Sequence, residues 1–157
     1  MNSYLKMAGI TAALAIFAAL LTVPAASYAD QRGNFSNISL MGDYGYSFNG
    51  TLLSPNGQIP LAAVGQVHFS GAGVATDAVR TVDLGGTILH QKATGTYNVN
   101  PDGTGSAEFK VITTSPAGIP DSTETFDFVL DGHGNVMQFI STTPGVVARG
   151  RLVHQDL

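Results

Sequence analysis

The sequence predicts an all-β protein, most simply a single antiparallel up-and-down barrel of about eight strands. Apolar and polar residues alternate with a period of two, and no segment keeps a helical period. Short stretches rich in Gly, Pro, Asn and Asp separate the alternating runs. A β-sandwich or jelly-roll is the alternative. The barrel is favoured because the runs are spaced more widely than the roughly 8–12 residues of a sandwich, and because closure leaves no exposed edge strand.

The beginning of the chain has the three parts of a secretory signal peptide. Lys6 gives a positive start, an almost unbroken apolar run covers residues 7–23, and a cluster of small residues ends at Ala29. The apolar run is shorter than the roughly 20 residues that cross a bilayer comfortably. We therefore expect a signal peptide over residues 1–29, a flexible segment over residues 30–41, a barrel domain over residues 42–157, and a mature protein that is secreted or periplasmic.

Eight alternating runs follow one another in the barrel domain. In the first run, Tyr44, Tyr46 and Phe48 share one face. Four later runs also present one apolar face, formed by Ile59, Leu61, Ala63, Val67 and Phe69; by Leu89, Ala93, Tyr97 and Val99; by Ala107, Phe109 and Val111; and by Phe126, Phe128 and Leu130. Three further runs, over residues 74–82, 136–140 and 146–153, complete the set. Alternation places these apolar faces inside the barrel.

The connections between the runs are typical of hairpins. Five are short and read SGAG, DLGG, NPDG, DGHGN and TTPG, with Gly, Pro, Asn and Asp supplying the turn conformations. Two are predicted to be long, over residues 50–58 and 114–123. Glycines inside the runs, as at Gly65 and Gly95, are expected to mark bends of the barrel wall, with a neighbouring ring filling the space.

Several phrases together resemble a family of small secreted bacterial β-barrel proteins. The phrases are GDYGYSFNG, GQVHFSGAG, GTYNVNPDGTGSAEF and STETFDFVLDGHGN, and they cover most of the chain between residues 42 and 152. The pattern is also similar to calycin-like and allene-oxide-cyclase-like barrels. The resemblance implies a barrel with an apolar cavity, and it carries no catalytic residue to this chain.

A small apolar ligand inside the barrel is the function that the sequence favours. An eight-stranded barrel is just wide enough to be filled by side chains or to hold one small molecule, and small residues such as Ala93 and Ala107 lie on the inward faces. The expected ligand-binding residues are Tyr44, Tyr46, Phe69, Tyr97, Phe109, Phe126 and Phe128. Two alternatives stay open: a structural or interaction protein with a filled core, and a cyclase or isomerase type of enzyme.

Other functions find little support in the residues. The formal net charge is −4 and no basic stripe is visible, which argues against nucleic-acid binding. No nucleophile stands beside a base in a recognisable motif, so no catalytic residue is assigned and no cofactor is expected. His68 and His90 lack the spacing of a compact metal site and are expected to be exposed, so no metal is predicted. Asp127 is expected to face solvent.

We expect the mature chain not to span a membrane, because the outward faces carry polar and charged residues where lipid would require apolar ones. Oligomerisation is left open by the sequence.

Overall fold

The computed structural model describes residues 34–156, which form eight strands. The strands are β1 (Met41–Ser54), β2 (Gly57–Ser70), β3 (Val74–Leu84), β4 (Thr87–Val99), β5 (Thr104–Ser115), β6 (Ser122–Leu130), β7 (Val136–Ser141) and β8 (Val146–His154). A 3-10 turn, Asn37–Ser39, precedes them. In this part of the chain no helix has the length and apolar character of a membrane span. The expected signal peptide, residues 1–29, lies outside the described residues.

The strands form a closed antiparallel barrel. Each strand pairs with the next in the chain, and β8 pairs with β1. Along this closing seam Tyr44 stands opposite His154, and Leu52 stands opposite Val146. Every strand has a neighbour on both sides, so the sheet presents no edge to solvent. The predicted up-and-down barrel is confirmed, and the chain does not adopt the sandwich alternative.

Side chains alternate between the interior and the outside, as the period of two predicts. Along β2, Ala63 and Phe69 are buried whereas Val64 is exposed. On β6, Phe128 is buried and Asp127 is exposed. The inward side chains form the hydrophobic core of the barrel. Burial of this apolar surface is the main favourable contribution to folding. The chain has no cysteine, so no disulfide adds to it.

A β-bulge in β3 interrupts the alternation. The register of β3 against β4 shifts between Ala75 and Ala78, and Asp77 takes a left-handed conformation with φ 53°. Both alanines are buried, although strict alternation would place residues 75 and 78 on opposite faces. An extra residue in one strand re-aims the side chains that follow. Beyond the bulge, Arg80 therefore shares the inward face with Val82.

Glycines on the inward face let aromatic rings lie directly on the barrel wall. A Cβ atom at Gly65 would lie 2.8 Å from Cζ of Tyr46, and one at Gly95 would lie 2.8 Å from Cδ1 of Phe109. Both separations are shorter than carbon atoms tolerate. The prediction that a ring fills the space at such glycines is confirmed, but the ring at Gly95 comes from the adjacent strand β5 and not from Tyr97.

The predicted long connection over residues 50–58 is wrong. β1 and β2 continue through this segment with Leu52 opposite Ile59, and residues 55–56 alone form the turn. Pro followed by Asn suits a tight reversal, because Pro presets φ and Asn tolerates turn conformations. The other predicted long connection is present as residues 116–121 between β5 and β6.

Residues 35–40 close the end of the barrel at which β1 begins, and we call this the sealed end. Leu40 is completely buried. The Asn37 side-chain oxygen accepts a hydrogen bond from the backbone N–H of Val99 at 2.8 Å. The Tyr97 hydroxyl donates to the carbonyl oxygen of Leu40 at 2.8 Å. The Asn37 side chain and the Leu40 backbone thus both join the segment to the barrel wall.

The sequence predicts a flexible segment over residues 30–41. In the described part of that segment, residues 35–40 pack against the barrel and β1 already begins at Met41. The segment supplies the apolar side chain of Leu40 and the backbone carbonyls of Asn37 and Leu40, to which the Tyr97 hydroxyl bonds.

Tyr97→Phe is expected to lower the free energy of unfolding by about 1–3 kcal/mol. Besides donating to Leu40, the Tyr97 hydroxyl accepts a hydrogen bond from the backbone N–H of Gly71 at 2.9 Å. Both backbone groups would lose this partner in the variant. Urea denaturation measures this. Tyr44→Phe, which removes one bond to the carbonyl oxygen of Gly134, is the comparison and should cost less. Equal stability of Tyr97→Phe and wild type would contradict the sealing role.

Candidate functional site

The barrel interior contains a cavity of about 60 Å³. Its wall is almost entirely apolar and aromatic. Five of the residues predicted to bind a ligand line it, namely Tyr46, Phe69, Phe109, Phe126 and Phe128. The inward faces of β1, β2, β5 and β6 bring them together, since each points to the same interior from a different side of the barrel.

Two predicted ligand-binding residues lie elsewhere in the interior. Tyr44 and Tyr97 are buried, and each packs edge-to-face on Phe69, with ring centroids 5.4 and 5.0 Å away. Their hydroxyls bond to backbone at the sealed end, Tyr44 to the carbonyl oxygen of Gly134 and Tyr97 to that of Leu40. The structure therefore places both tyrosines in the closure of the barrel and not in the cavity wall.

An ion pair that the sequence did not reveal crosses the interior. Arg80 on β3 and Glu124 on β6 both line the cavity. Arg80 Nη1 donates to Glu124 Oε2 at 2.8 Å, and Nη2 donates to Oε1 at 2.5 Å. The side chains are only 8% and 22% exposed. A planar guanidinium that meets a carboxylate through two parallel bonds has the strongest geometry for such a pair.

Further groups hold the Arg80 guanidinium in place. Its Nε donates to Gln91 Oε1 at 2.7 Å, and Gln91 Nε2 donates in turn to Thr113 Oγ1 at 3.0 Å. The guanidinium carbon lies 5.5 Å from the ring centroid of Phe48, a favourable cation–π distance. The Tyr46 hydroxyl lies beside it. The guanidinium is thus fixed on several sides before any ligand arrives.

The surroundings shift the acidity of these groups. Burial raises the pKa of Tyr46 to about 12, and the positive charge of Arg80 only partly opposes this effect. For Arg80, burial lowers the pKa, but the hydrogen bond and charge of Glu124 outweigh it, so the pKa lies above its usual value. At neutral pH the cavity therefore presents a protonated phenol beside a guanidinium. Both groups donate hydrogen bonds.

Stability is expected to fall as pH rises from 10 to about 12. Burial raises the pKa of both Tyr44 and Tyr46 from 10.0 to about 12, so in this window the folded chain keeps protons that the unfolded chain releases. The loss is about 1.4 kcal/mol per pH unit for each tyrosine, and the contribution is complete below pH 10. Urea unfolding across this range measures it. Tyr44→Phe should reduce the slope to about 1.4 kcal/mol per pH unit, the contribution of Tyr46 alone, and an unchanged slope in that variant would contradict the assignment.

A signal for the missed pair exists in the sequence, but it is ambiguous. Glu124 stands two residues before Phe126 and therefore shares its inward parity, although it also belongs to an acidic stretch that suggests a solvated surface. Arg80 stands two residues before Val82, but counting from Ala75 would place it outside because of the bulge. The two charges meet because β3 and β6, which are not neighbours in the sheet, face each other across the barrel interior.

The histidines do not gather into a site. His68 Nδ1 lies 2.8 Å from Asp43 Oδ1 in a pair that is nearly half exposed, and His90 is exposed beside Thr81. Among residues 34–156, no three His, Asp or Glu side chains are grouped to hold a metal ion. The cavity is therefore the feature of the barrel with the best-defined binding chemistry.

Comparison with protein-family models, with curated proteins and with solved structures finds no match to this chain. The resemblance to secreted bacterial barrels stays a prediction, and the functional argument rests on the geometry of the cavity.

Proposed function

We propose that this barrel binds a small, largely apolar molecule in its cavity and does so as a secreted or periplasmic protein. The observation that carries the proposal is the combination of an aromatic cavity of about 60 Å³ with a fixed ion pair in its wall. Binding sites for small molecules are commonly apolar hollows with a few placed polar groups. The location is supported by the signal-peptide pattern of residues 1–29.

The size of the cavity limits the ligand. The volume of about 60 Å³ is less than half of the roughly 150 Å³ that admits benzene in an engineered apolar cavity. A ligand of a few non-hydrogen atoms fits without rearrangement. A drug-sized molecule, which needs a pocket of roughly 300 Å³ or more, would have to displace several aromatic rings.

A ligand would enter from the end opposite the sealed end. Glu124 lies near the start of β6 at that end, and its side chain keeps 22% of its surface exposed. At the sealed end, by contrast, Leu40 and Tyr44 are 0% and 2% exposed. The ion pair therefore stands on the more accessible side of the cavity, where an arriving molecule meets it first.

Methionine methyl NMR on the full chain tests the proposal. Met137 lines the cavity and is 5% exposed, whereas Met41 is 56% exposed on the outside and serves as the internal control. Xenon and isobutene are the probes, because apolar cavities take up such guests. We expect saturable shifts of the Met137 methyl signal and none at Met41.

A matched pair of variants sharpens this test. Ala93→Leu places extra volume in the cavity wall and should abolish the Met137 response, whereas Ala62→Leu, on the exposed face of β2, should leave it unchanged. A Met137 signal that responds to neither probe in the wild-type chain would refute ligand binding in this cavity.

An interaction protein is the second candidate, and the outer surface favours it. Ile140 on β7 is 57% exposed and Val147 on the adjacent strand β8 is 63% exposed. Exposed apolar residues that lie together mark contact sites on many proteins. Sedimentation velocity over a range of concentrations, with Ile140→Lys as the disrupting variant, tests this reading. A monomer at every concentration would count against self-association.

A further inference from the structure

We infer that the cavity selects a neutral molecule that carries an oxygen acceptor, such as a small ketone or aldehyde, and that it directs this oxygen toward Arg80 and Tyr46. The inference rests on the proposed function and specifies the class of ligand. It follows from the hydrogen bonds already made by the ion pair, from its charge balance and from the apolar surroundings.

The first step is the number of donors that Arg80 has left. A guanidinium carries five N–H donors. Two of them bond to Glu124, a third, on Nε, bonds to Gln91, and a fourth is engaged with the hydroxyl oxygen of Tyr46. The last N–H of Arg80 and the hydroxyl hydrogen of Tyr46 remain as donors at the cavity wall. A guest atom beside these donors binds most favourably if it is a hydrogen-bond acceptor. A carbonyl oxygen is one, with two lone pairs that can each accept a bond.

The second step is the charge of the site. Arg80 and Glu124 neutralise each other through two bonds, so the wall has no net charge to offer. Glu124 would repel a carboxylate guest and Arg80 would repel an ammonium guest. Either ion would also lose its hydration on entering an aromatic interior. The loss of hydration of an unpaired ion is far more costly than that of a neutral carbonyl. The balanced pair therefore disfavours both kinds of ion.

The third step is the surroundings of the donors. Ala78, Ala93 and Phe109 border the same cavity beside Arg80 and Tyr46. They offer only van der Waals contact, so the remainder of the guest must be apolar. The site thus combines one corner of donors with walls of alkyl and aromatic carbon, which matches a molecule with a single polar oxygen.

Four molecules of the same Y shape separate these contributions. Acetone, isobutene, acetate and acetamidinium each have four non-hydrogen atoms and differ at the polar end, which is respectively a carbonyl, a methylene, an anion and a cation. Titrations of the full chain, followed at the Met137 methyl signal, give a dissociation constant for each. We expect acetone and isobutene to shift the signal, and acetate and acetamidinium to bind at least about tenfold more weakly than acetone.

The decisive quantity is the affinity ratio of acetone to isobutene in wild type and variants. In Arg80→Met/Glu124→Leu, which replaces the pair with apolar side chains, this ratio should fall about tenfold, since a hydrogen bond to a charged donor is lost. Tyr46→Phe should lower it by a smaller factor without disturbing the pair. A ratio in both variants equal to that of wild type would overturn the inference and leave the proposed function standing.

Two other results also decide the matter. Binding of acetate or acetamidinium as tightly as acetone would overturn the selection for neutral guests. Failure of isobutene and acetone alike to move the Met137 signal of the wild-type chain would overturn the proposed function together with the inference, and is thus distinguishable from failure of the inference alone.

Discussion

Glu124→Leu is expected to lower the free energy of unfolding by about 3 kcal/mol, one of the two largest effects that we predict for a single substitution. The change leaves the Arg80 guanidinium, whose side chain is 8% exposed, without its carboxylate partner in an aromatic interior. Removing one member of a buried ion pair is costly because the remaining charge stays desolvated and unpaired. Chemical denaturation followed by circular dichroism measures the loss.

The double variant Arg80→Met/Glu124→Leu should recover most of this loss and fall within about 1 kcal/mol of wild type, because apolar side chains of similar volume replace a buried pair at little cost. Asp43→Leu is the matched control. It breaks the His68–Asp43 pair, whose side chains are 44% and 46% exposed, and such exposed pairs contribute about 1 kcal/mol or less. A Glu124→Leu effect no larger than the Asp43→Leu effect would show that the interior pair is solvated.

Phe69→Ala is expected to lower the free energy of unfolding by about 3–5 kcal/mol. Phe69 is 1% exposed and packs between the rings of Tyr44 and Tyr97, so its removal leaves a hole that the barrel wall cannot close. Ile140→Ala is the control, because Ile140 is 57% exposed on the outer face of β7 and its truncation should cost about 0.5 kcal/mol or less.

The hole in Phe69→Ala offers a second readout. Phe69 lines the natural cavity, so the truncation should enlarge it enough to admit benzene. Benzene should then raise the unfolding midpoint of Phe69→Ala by mass action and leave that of Ile140→Ala unchanged. A Phe69→Ala protein as stable as wild type would mean that the interior repacks, and it would contradict the expected hole at this position.

The sequence predicted the barrel well because its main signal is local. Alternation at a period of two places Tyr46, Phe109 and Phe128 on the inward face, and turn residues mark most of the reversals. These patterns depend only on residues close together in the chain. The prediction of a long loop over residues 50–58 was wrong because it too used only local residues. Pairing between β1 and β2 extends both strands through this segment, beyond the local alternation.

The site was less predictable because it depends on distant contacts. Arg80 turns inward because of the bulge at Asp77, and its partner Glu124 comes from β6, which is not adjacent to β3 in the sheet. The roles of Tyr44 and Tyr97 depend on backbone carbonyls outside their own strands. Neither circumstance leaves a periodic trace in the sequence, so alternation alone grouped Tyr44 and Tyr97 with the other five aromatic residues of the predicted ligand site.

The pairing of β8 with β1 also fixes how the barrel can be tethered. β1 begins and β8 ends beside each other, with Tyr44 opposite His154, so the chain enters and leaves the barrel at the sealed end. A linker, a surface or a fused domain attached before β1 or after β8 would therefore hold the barrel by its sealed end. The accessible side of the cavity, with Glu124, would face away from the attachment and toward the surrounding solution.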